Sequence, residues 1–260
     1  MKTSRRKFLK VAGLSAFALA GGMTALAGEA AAQVAPGRYI KREGMLSAKR
    51  WAMVIDTRRF TSEADYAPLI AACNKAHNIP DIPGDRNVKW IWTDSFDHVF
   101  PDDMNNHLNS AVRNKPYMLL CNHCTNPPCV RVCPTQATYK MEDGIVAMDY
   151  HRCIGCRFCM AGCPYGARSF NFIDPRLHLT DPAPNPAFPT RMIGVVEKCN
   201  FCVERLNEGK LPACVEASDG RLLFGDLEDP NSTVRKALAA NYSIRRKPSL
   251  GTQPGVYYLI

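Results

Sequence analysis

The stretch CIGCRFCMAGCP sets Cys153, Cys156, Cys159 and Cys163 in a C-x2-C-x2-C-x3-C run with Pro164 behind it. CNHCTNPPCVRVCP sets Cys121, Cys124, Cys129 and Cys133 on the same plan, with two extra residues in its middle. Cysteines so spaced are poorly placed to bridge each other and well placed to wrap a metal centre. In such runs three thiolates hold three irons of one [4Fe-4S] cube, while the fourth, turned away by the following proline, ligates a neighbouring cube. Reciprocal exchange then assigns Cys121, Cys124, Cys129 and Cys163 to one cube, and Cys153, Cys156, Cys159 and Cys133 to the other. A third group, CNFCVERLNEGKLPAC, supplies Cys199, Cys202 and Cys214, one thiolate short of a cube. Cys73 is the one cysteine left over, forty-eight positions ahead of the next. With it, the twelve cysteines divide into three sets of four.

Zinc is the competing metal, since cysteine pairs also build tetrahedral thiolate sites. Zinc ribbons, however, use two pairs with a spacer, not four cysteines within eleven residues. No cysteine remains for thiol catalysis, and no catalytic residue is expected. His123 lies inside the second run, where four thiolates already suffice, so it is expected beside a cube or at the surface and not as a ligand. His77, His98, His107, His151 and His178 are scattered and form no metal-ligand or triad spacing. Trp90 and Trp92 in KWIW are expected as core or interface aromatics, not electron relays.

The elements that position these thiols are short. WAMVID, Trp51 to Asp56, reads as a strand from its β-branched and aromatic content. TYKMEDGIVAMDY reads as two strands around Asp143-Gly144, the residues favoured in a tight hairpin turn. Cysteine run, short helix, hairpin and cysteine run succeed one another. Two stretches are expected as partner-facing loops: PDIPGDRNVKWIWTDSFDHVFPDDMNNHLNSAVRNKP and DPRLHLTDPAPNPAFPTR, the second because its prolines oppose regular structure. SLGTQPGVYYLI at the end is short and aromatic, and is expected as packed surface or a docking tail.

With 46% hydrophobic and 22% charged residues over 260 positions, the chain has material for one or two packed domains and is not compositionally disordered. It opens with Arg5 and Arg6 ahead of a weakly apolar run from Val11 to Ala27 and an A-x-A site at Ala30 to Ala32. This is the pattern of a twin-arginine export signal cleaved near Gln33. The alternative is an uncleaved membrane anchor, but Gly13, Gly21 and Gly22 interrupt a run of only seventeen residues, which favours cleavage; no later segment reaches the roughly 18 to 20 apolar residues of a span. Residues 1–32 carry five basic side chains and one acid, so their removal lowers the formal charge from +9 to +5, too mild to argue for nucleic acid. Twelve cysteines in an exported chain would ordinarily suggest disulfides. An export route that carries folded proteins instead fits clusters inserted before the chain leaves the cytoplasm.

The cysteine runs, the Arg5-Arg6 leader and phrases such as CPTQATYKMEDGIVAMDYHRCIGCRFCMAGCPYGAR and GVVEKCNFC resemble the ferredoxin-type iron–sulfur subunits of the dimethyl sulfoxide reductase, polysulfide reductase and NrfC group, from about Trp51 to Gly220. The resemblance implies an α+β fold of tandem bacterial 2[4Fe-4S] ferredoxin-like modules, β-hairpins and short helices around clusters, with loop insertions. It divides the chain into a signal (1–32), a polar lead-in (33–50), an iron–sulfur domain (51–222) and a C-terminal extension (223–260). Within the domain it implies a central module at 117–173 and an outer module from 51–80 plus 194–220. The family usually carries four cubes, its first and fourth cysteine runs pairing as the second and third do. Counting back from Cys73 at family spacing reaches Leu69, Tyr66 and Glu63, and Ser218 stands where the last cysteine of the fourth run would be. Those four positions build one cube in the family, so the resemblance implies that one terminal cube is lost and three [4Fe-4S] clusters remain. Within the group the chain is most similar to the periplasmic iron–sulfur protein of the sulfite-reduction-associated DsrMKJOP complex. That implies an NrfD-type integral membrane quinone-interacting partner and leaves room for a multihaem cytochrome c. The alternative is the iron–sulfur subunit of a molybdopterin oxidoreductase acting on polysulfide, tetrathionate or a similar substrate.

Overall fold

The computed structural model describes residues 43–179 and 184–260; the expected signal peptide lies outside them. Its strands are β1 (Trp51–Asp56), β2 (Ile91–Ser95), β3 (Pro116–Leu120), β4 (Thr138–Lys140), β5 (Val146–Met148), β6 (Ser169–Phe170), β7 (Val196–Glu197), β8 (Leu222–Asp226), β9 (Ser243–Ile244) and β10 (Val256–Leu259). The helices are α1 (Ala67–His77), α2 (Phe96–Val99), α3 (Ser110–Arg113), α4 (Pro128–Arg131), α5 (Phe158–Ala161), α6 (Val203–Leu206), α7 (Ala213–Glu216) and α8 (Thr233–Ala240). The architecture is mixed α+β, one four-stranded sheet and three two-stranded ribbons joined by helices of mostly one turn.

β1 is apolar at every position from Trp51 to Ile55, the pattern of a strand buried on both faces, and all five residues are buried. It lies inside the sheet order β8-β1-β10-β9, antiparallel to β8 and parallel to β10, with Met53 opposite Phe224 on one side and Val256 on the other. The C-terminal residues are therefore core and not a docking tail. Val256 and Tyr258 are fully buried, and the Tyr258 hydroxyl donates to the Met118 carbonyl at 3.0 Å. The boundary expected after residue 222 falls inside β8. A strand of four residues reads as a tail in sequence because its partner, β1, is two hundred residues away.

The first expected loop is also corrected. β2 pairs with β3, and Trp90, Phe96, Val99 and Phe100 are buried. Phe100 meets Tyr117 and Tyr258 edge-on, with ring centroids 5.4 and 5.0 Å apart. The prolines of that stretch bracket a core segment. The second expected loop forms only a 3-10 turn at Pro175–His178 among its described residues, yet Phe188 and Arg191 are buried. Asn78 anchors it, donating to the carbonyls of Asn185 and Phe188.

α1 is the longest helix among the described residues. Pro68 sits in its first turn, and Asn78 ends it in the left-handed conformation at φ +51°, so the chain cannot continue helical. Leu69, Cys73 and His77, spaced by four, share one face and are its buried residues. That face packs on α7.

Candidate metal centres

All twelve cysteines are free thiols. Cys73 faces inward from α1 and Cys214 from α7, while Cys199 and Cys202 flank a turn leading into α6. That turn has Phe201 and Cys202 at φ +54° and +53°, and the Asn200 side chain accepts from the Cys202 amide at 2.8 Å. All four thiols are buried. Burial first, then the crowding of Cys199, Cys202 and Cys214, drives the Cys73 thiol well above its ordinary range. Burial pushes Cys214 up to about 12. Such a set is costly to ionise without a cation to receive it, as expected of metal ligands seen without their metal.

The second set follows β3. Cys121, Cys124 and Cys129 are buried, the last on α4, and Cys163 joins them after α5. Burial, followed by the Cys121 thiol, pushes Cys124 up to about 12, with Cys129 and Cys163 adding to it. In the third set Cys133, Cys153, Cys156 and Cys159 line one pocket with Thr138, Met148 and Gly155. The Thr138 amide points at Cys133 Sγ across 3.5 Å, and Cys156 is exposed. Gly155 has φ +71°, and a Cβ there would lie 2.3 Å from the Gly194 carbonyl oxygen, so only glycine fits this turn. The sets adjoin in order. Cys199 of the first set shares a buried cluster with Cys121 of the second, and Cys129 of the second shares one with Cys159 of the third.

The residues fit iron–sulfur cubes better than zinc. A tetrahedral zinc with bonds of about 2.3 Å holds its sulfurs roughly 3.8 Å apart. Among the described residues no three thiols lie within 4.8 Å of one another; the one trio of potential ligand atoms that close is His77, Cys202 and Glu204. Around the thiols stand buried donors with no partner among the described residues: Asn122 Nδ2, His123 Nε2 and Arg168 Nη2. Unpartnered buried donors are rare unless a further acceptor belongs there, and the sulfurs of a cube are such acceptors. His123 illustrates this. Its Nδ1 accepts from the Val146 amide at 3.0 Å, and burial, then Lys198 and Arg168, hold its pKa well below the usual value, so the ring is neutral with its proton on Nε2. It stacks on Phe201 at 3.7 Å between centroids.

Three residues near the thiols gave no signal as site residues in sequence. His77 Nδ1 lies 3.8 Å from Cys73 Sγ and Nε2 lies 2.7 Å from Glu204 Oε1, with the ring against Trp90 and Phe188. The i, i+4 relation to Cys73 on a helix could have revealed it. Arg168 and Lys198 are buried cations, and no carboxylate among the described residues pairs with either. Lys198 Nζ donates to the carbonyls of Val146 and Cys199. Trp90 donates to Glu197, itself in a fully buried ion pair with Arg191.

The positions aligned with missing family cysteines are filled by protein. Tyr66 is buried and stacks on Phe60 at 4.3 Å, and its hydroxyl donates to the Pro116 carbonyl. Leu69 is buried on α1. Ser218 is fully buried; its hydroxyl donates to the Val215 carbonyl at 2.7 Å and accepts from the Leu222 amide at 3.0 Å. The Arg221 guanidinium covers Phe60. Glu63 lies in a solvent-exposed turn.

A family model for a 4Fe-4S dicluster domain matches residues 116–173, the segment that holds the second and third sets. The chain is 41% identical to the Hdr-like menaquinol oxidoreductase iron-sulfur subunit 1 of Archaeoglobus fulgidus, over 98% of this chain and 97% of that one. It is 36% identical to the iron-sulfur cluster-binding subunit of menaquinone reductase from Nitratidesulfovibrio vulgaris, over 81% of this chain and 88% of that one. A tetrathionate reductase subunit of Salmonella typhimurium is 44% identical over 58% of this chain and 54% of its own length.

Proposed function

As the chain belongs to the family of ferredoxin-type 4Fe-4S subunits that those relatives represent, we propose that it is the electron relay of a membrane-linked quinone oxidoreductase, with three [4Fe-4S] cubes held by the three thiol sets. The observation that carries this reading is the arrangement of twelve free thiols as three adjoining sets of four, beside buried donors that have no other acceptor among the described residues. Tandem ferredoxin-like modules describe the same arrangement: one built on residues 117–173, the other from 51–80 plus 194–220.

A cube on four thiolates supplies one-electron exchange without binding substrate, at a potential set by charge, sulfur hydrogen bonds and solvent access. The chain's own residues order that exchange. Cys199 in one buried cluster with Cys121, and Cys129 in another with Cys159, make a series from the buried first set to the third. Cys156 is exposed, with the exposed side chains of Ile154 and Phe158 beside it in sequence, so the third set is the outer end. At the other end, Phe60, Tyr66 and Ser218 fill the region where a fourth cube would need its ligands, which supports a count of three.

In this reading the partner is an NrfD-type integral membrane quinone-interacting subunit, with a multihaem cytochrome c as a further redox partner. Arg5 and Arg6 direct export of the folded chain, and work in the periplasm, in sulfur respiration, follows. No described helix is long and apolar enough to cross a membrane, and in this reading the partner supplies the attachment. Likeness along nearly the whole menaquinol oxidoreductase subunit, against about half of the tetrathionate reductase subunit, favours this reading over a molybdopterin enzyme's subunit. Quantifying iron and acid-labile sulfide in anaerobically purified protein, with paramagnetic resonance of the reduced form, tests it. About twelve of each per chain is expected. Eight or sixteen overturns the count, and zinc in place of iron overturns the reading.

A further inference from the structure

Arg168 is an ionic group in an unusual position. It is 5% exposed, and no carboxylate among the described residues pairs with it. Nη1 donates to Thr138 Oγ1 at 3.0 Å and lies 3.3 Å from Met148 Sδ, and Nη2 has no partner among the described residues. Burying an unpaired guanidinium is strongly unfavourable, and folds avoid it unless an anion is at hand. The groups that become anionic here, as thiolates once a cube is bound, are cysteines of two different sets. α4, which carries Cys129, packs on α5, which carries Cys159, and the Thr138 and Met148 contacts hold the guanidinium at that junction, where its charge acts on both cysteines. Its two anchors belong to the pocket of the third set, where Thr138 and Met148 stand among Cys133, Cys153, Cys156 and Cys159.

We propose that Arg168 is a positioning residue for electron transfer: a fixed buried cation shared by the second and third thiol sets, raising the reduction potentials of both cubes and leaving that of the first unchanged. The physical basis is the sign of the charge. Each oxidised cube with its four thiolates carries about −2, and one electron takes it to about −3. A buried cation at the junction stabilises the more negative state of either cube, and water cannot screen it there. It also offsets the repulsion that an electron on one cube exerts on an electron arriving at the next. Arginine suits the position because its planar fork presents donors in two directions and stays charged throughout any redox titration.

The inference rests on the proposed assignment of cubes to thiol sets, and the experiment separates the two. Wild-type, Arg168→Lys and Arg168→Met full-length proteins are purified anaerobically, their iron is counted, and each is titrated redox-potentiometrically under paramagnetic resonance. A wild type without three resolvable cubes refutes the assignment. With three cubes present, Arg168→Met is expected to weaken reduction of two of them at least tenfold, about 59 mV for one electron, with the third unmoved. Arg168→Lys keeps the charge and is expected to lose less than half of that shift. If Arg168→Met fails to assemble clusters, the decision falls on Thr138→Val. That change removes the Nη1 anchor but keeps the backbone amide facing Cys133, and should move the same two potentials in the same direction by a smaller factor. Fully loaded variants with unchanged potentials, equal shifts in all three cubes, or identical shifts for Lys and Met would each overturn the proposal.

Discussion

Cys73→Ala separates a ligand from a packed thiol, because the two roles predict changes in different observables. The thiol is 3% exposed on the inner face of α1, beside α7 and its Cys214. As packing alone, the lost sulfur would cost about 1 kcal/mol, a melting shift of roughly 2 to 4 °C for a domain of this size, with every iron retained. As fourth ligand, its removal leaves Cys199, Cys202 and Cys214 with an open iron. One cube of the three is then lost or reduced to three irons, so iron falls from about twelve to about eight or eleven per chain. Ser218→Ala is the matched control. It removes one bond to the Val215 carbonyl and one from the Leu222 amide in a fully buried site, costing about 1 to 3 kcal/mol, yet it should leave iron and resonance spectra untouched. Iron assay, paramagnetic resonance and thermal unfolding on the two variants give opposite patterns. Full iron with unchanged spectra in Cys73→Ala would refute the ligand role; iron loss in Ser218→Ala would refute the claim that its cube is gone.

Gly155→Ala forces a side chain into φ +71° with its Cβ 2.3 Å from a backbone carbonyl, so the turn holding Cys153 and Cys156 must open and about four irons should be lost. An alanine variant with full iron would show that the turn is not needed. Deleting residues 252–260 removes β10 and leaves β1 unpaired on one edge, and should abolish soluble, cluster-bearing protein. A truncated chain with unchanged melting would mean the sheet stands without it. Replacing Arg5 and Arg6 with lysine should strand folded, iron-loaded protein in the cytoplasm; continued export would contradict the twin-arginine assignment.

Sequence alone determined whatever depends on neighbours in the chain. The spacing of the two complete cysteine runs points to 4Fe-4S binding, because three thiolates within seven or nine residues can surround one centre, and the family model over residues 116–173 agrees. The continuous apolar run of β1 and the Asp143-Gly144 turn between β4 and β5 were legible for the same reason, with Gly144 at φ +87°. The buried role of Trp90 was legible too, but not that the stretch around it adds a strand to β3.

Tertiary structure decided what depends on convergence over long separations. α1 brings Cys73 to Cys214 only because the face of Leu69, Cys73 and His77 packs on α7, and elimination among cysteines could supply a candidate but not that contact. VYYL reads as a surface tail until β1 lies beside it, since a strand carries no mark of its partner. Arg168 had no local signature at all. An arginine is ordinarily a surface residue, and what distinguishes this one is burial without a carboxylate between thiols that belong to two different runs. That environment exists only once α4 and α5 have packed against each other.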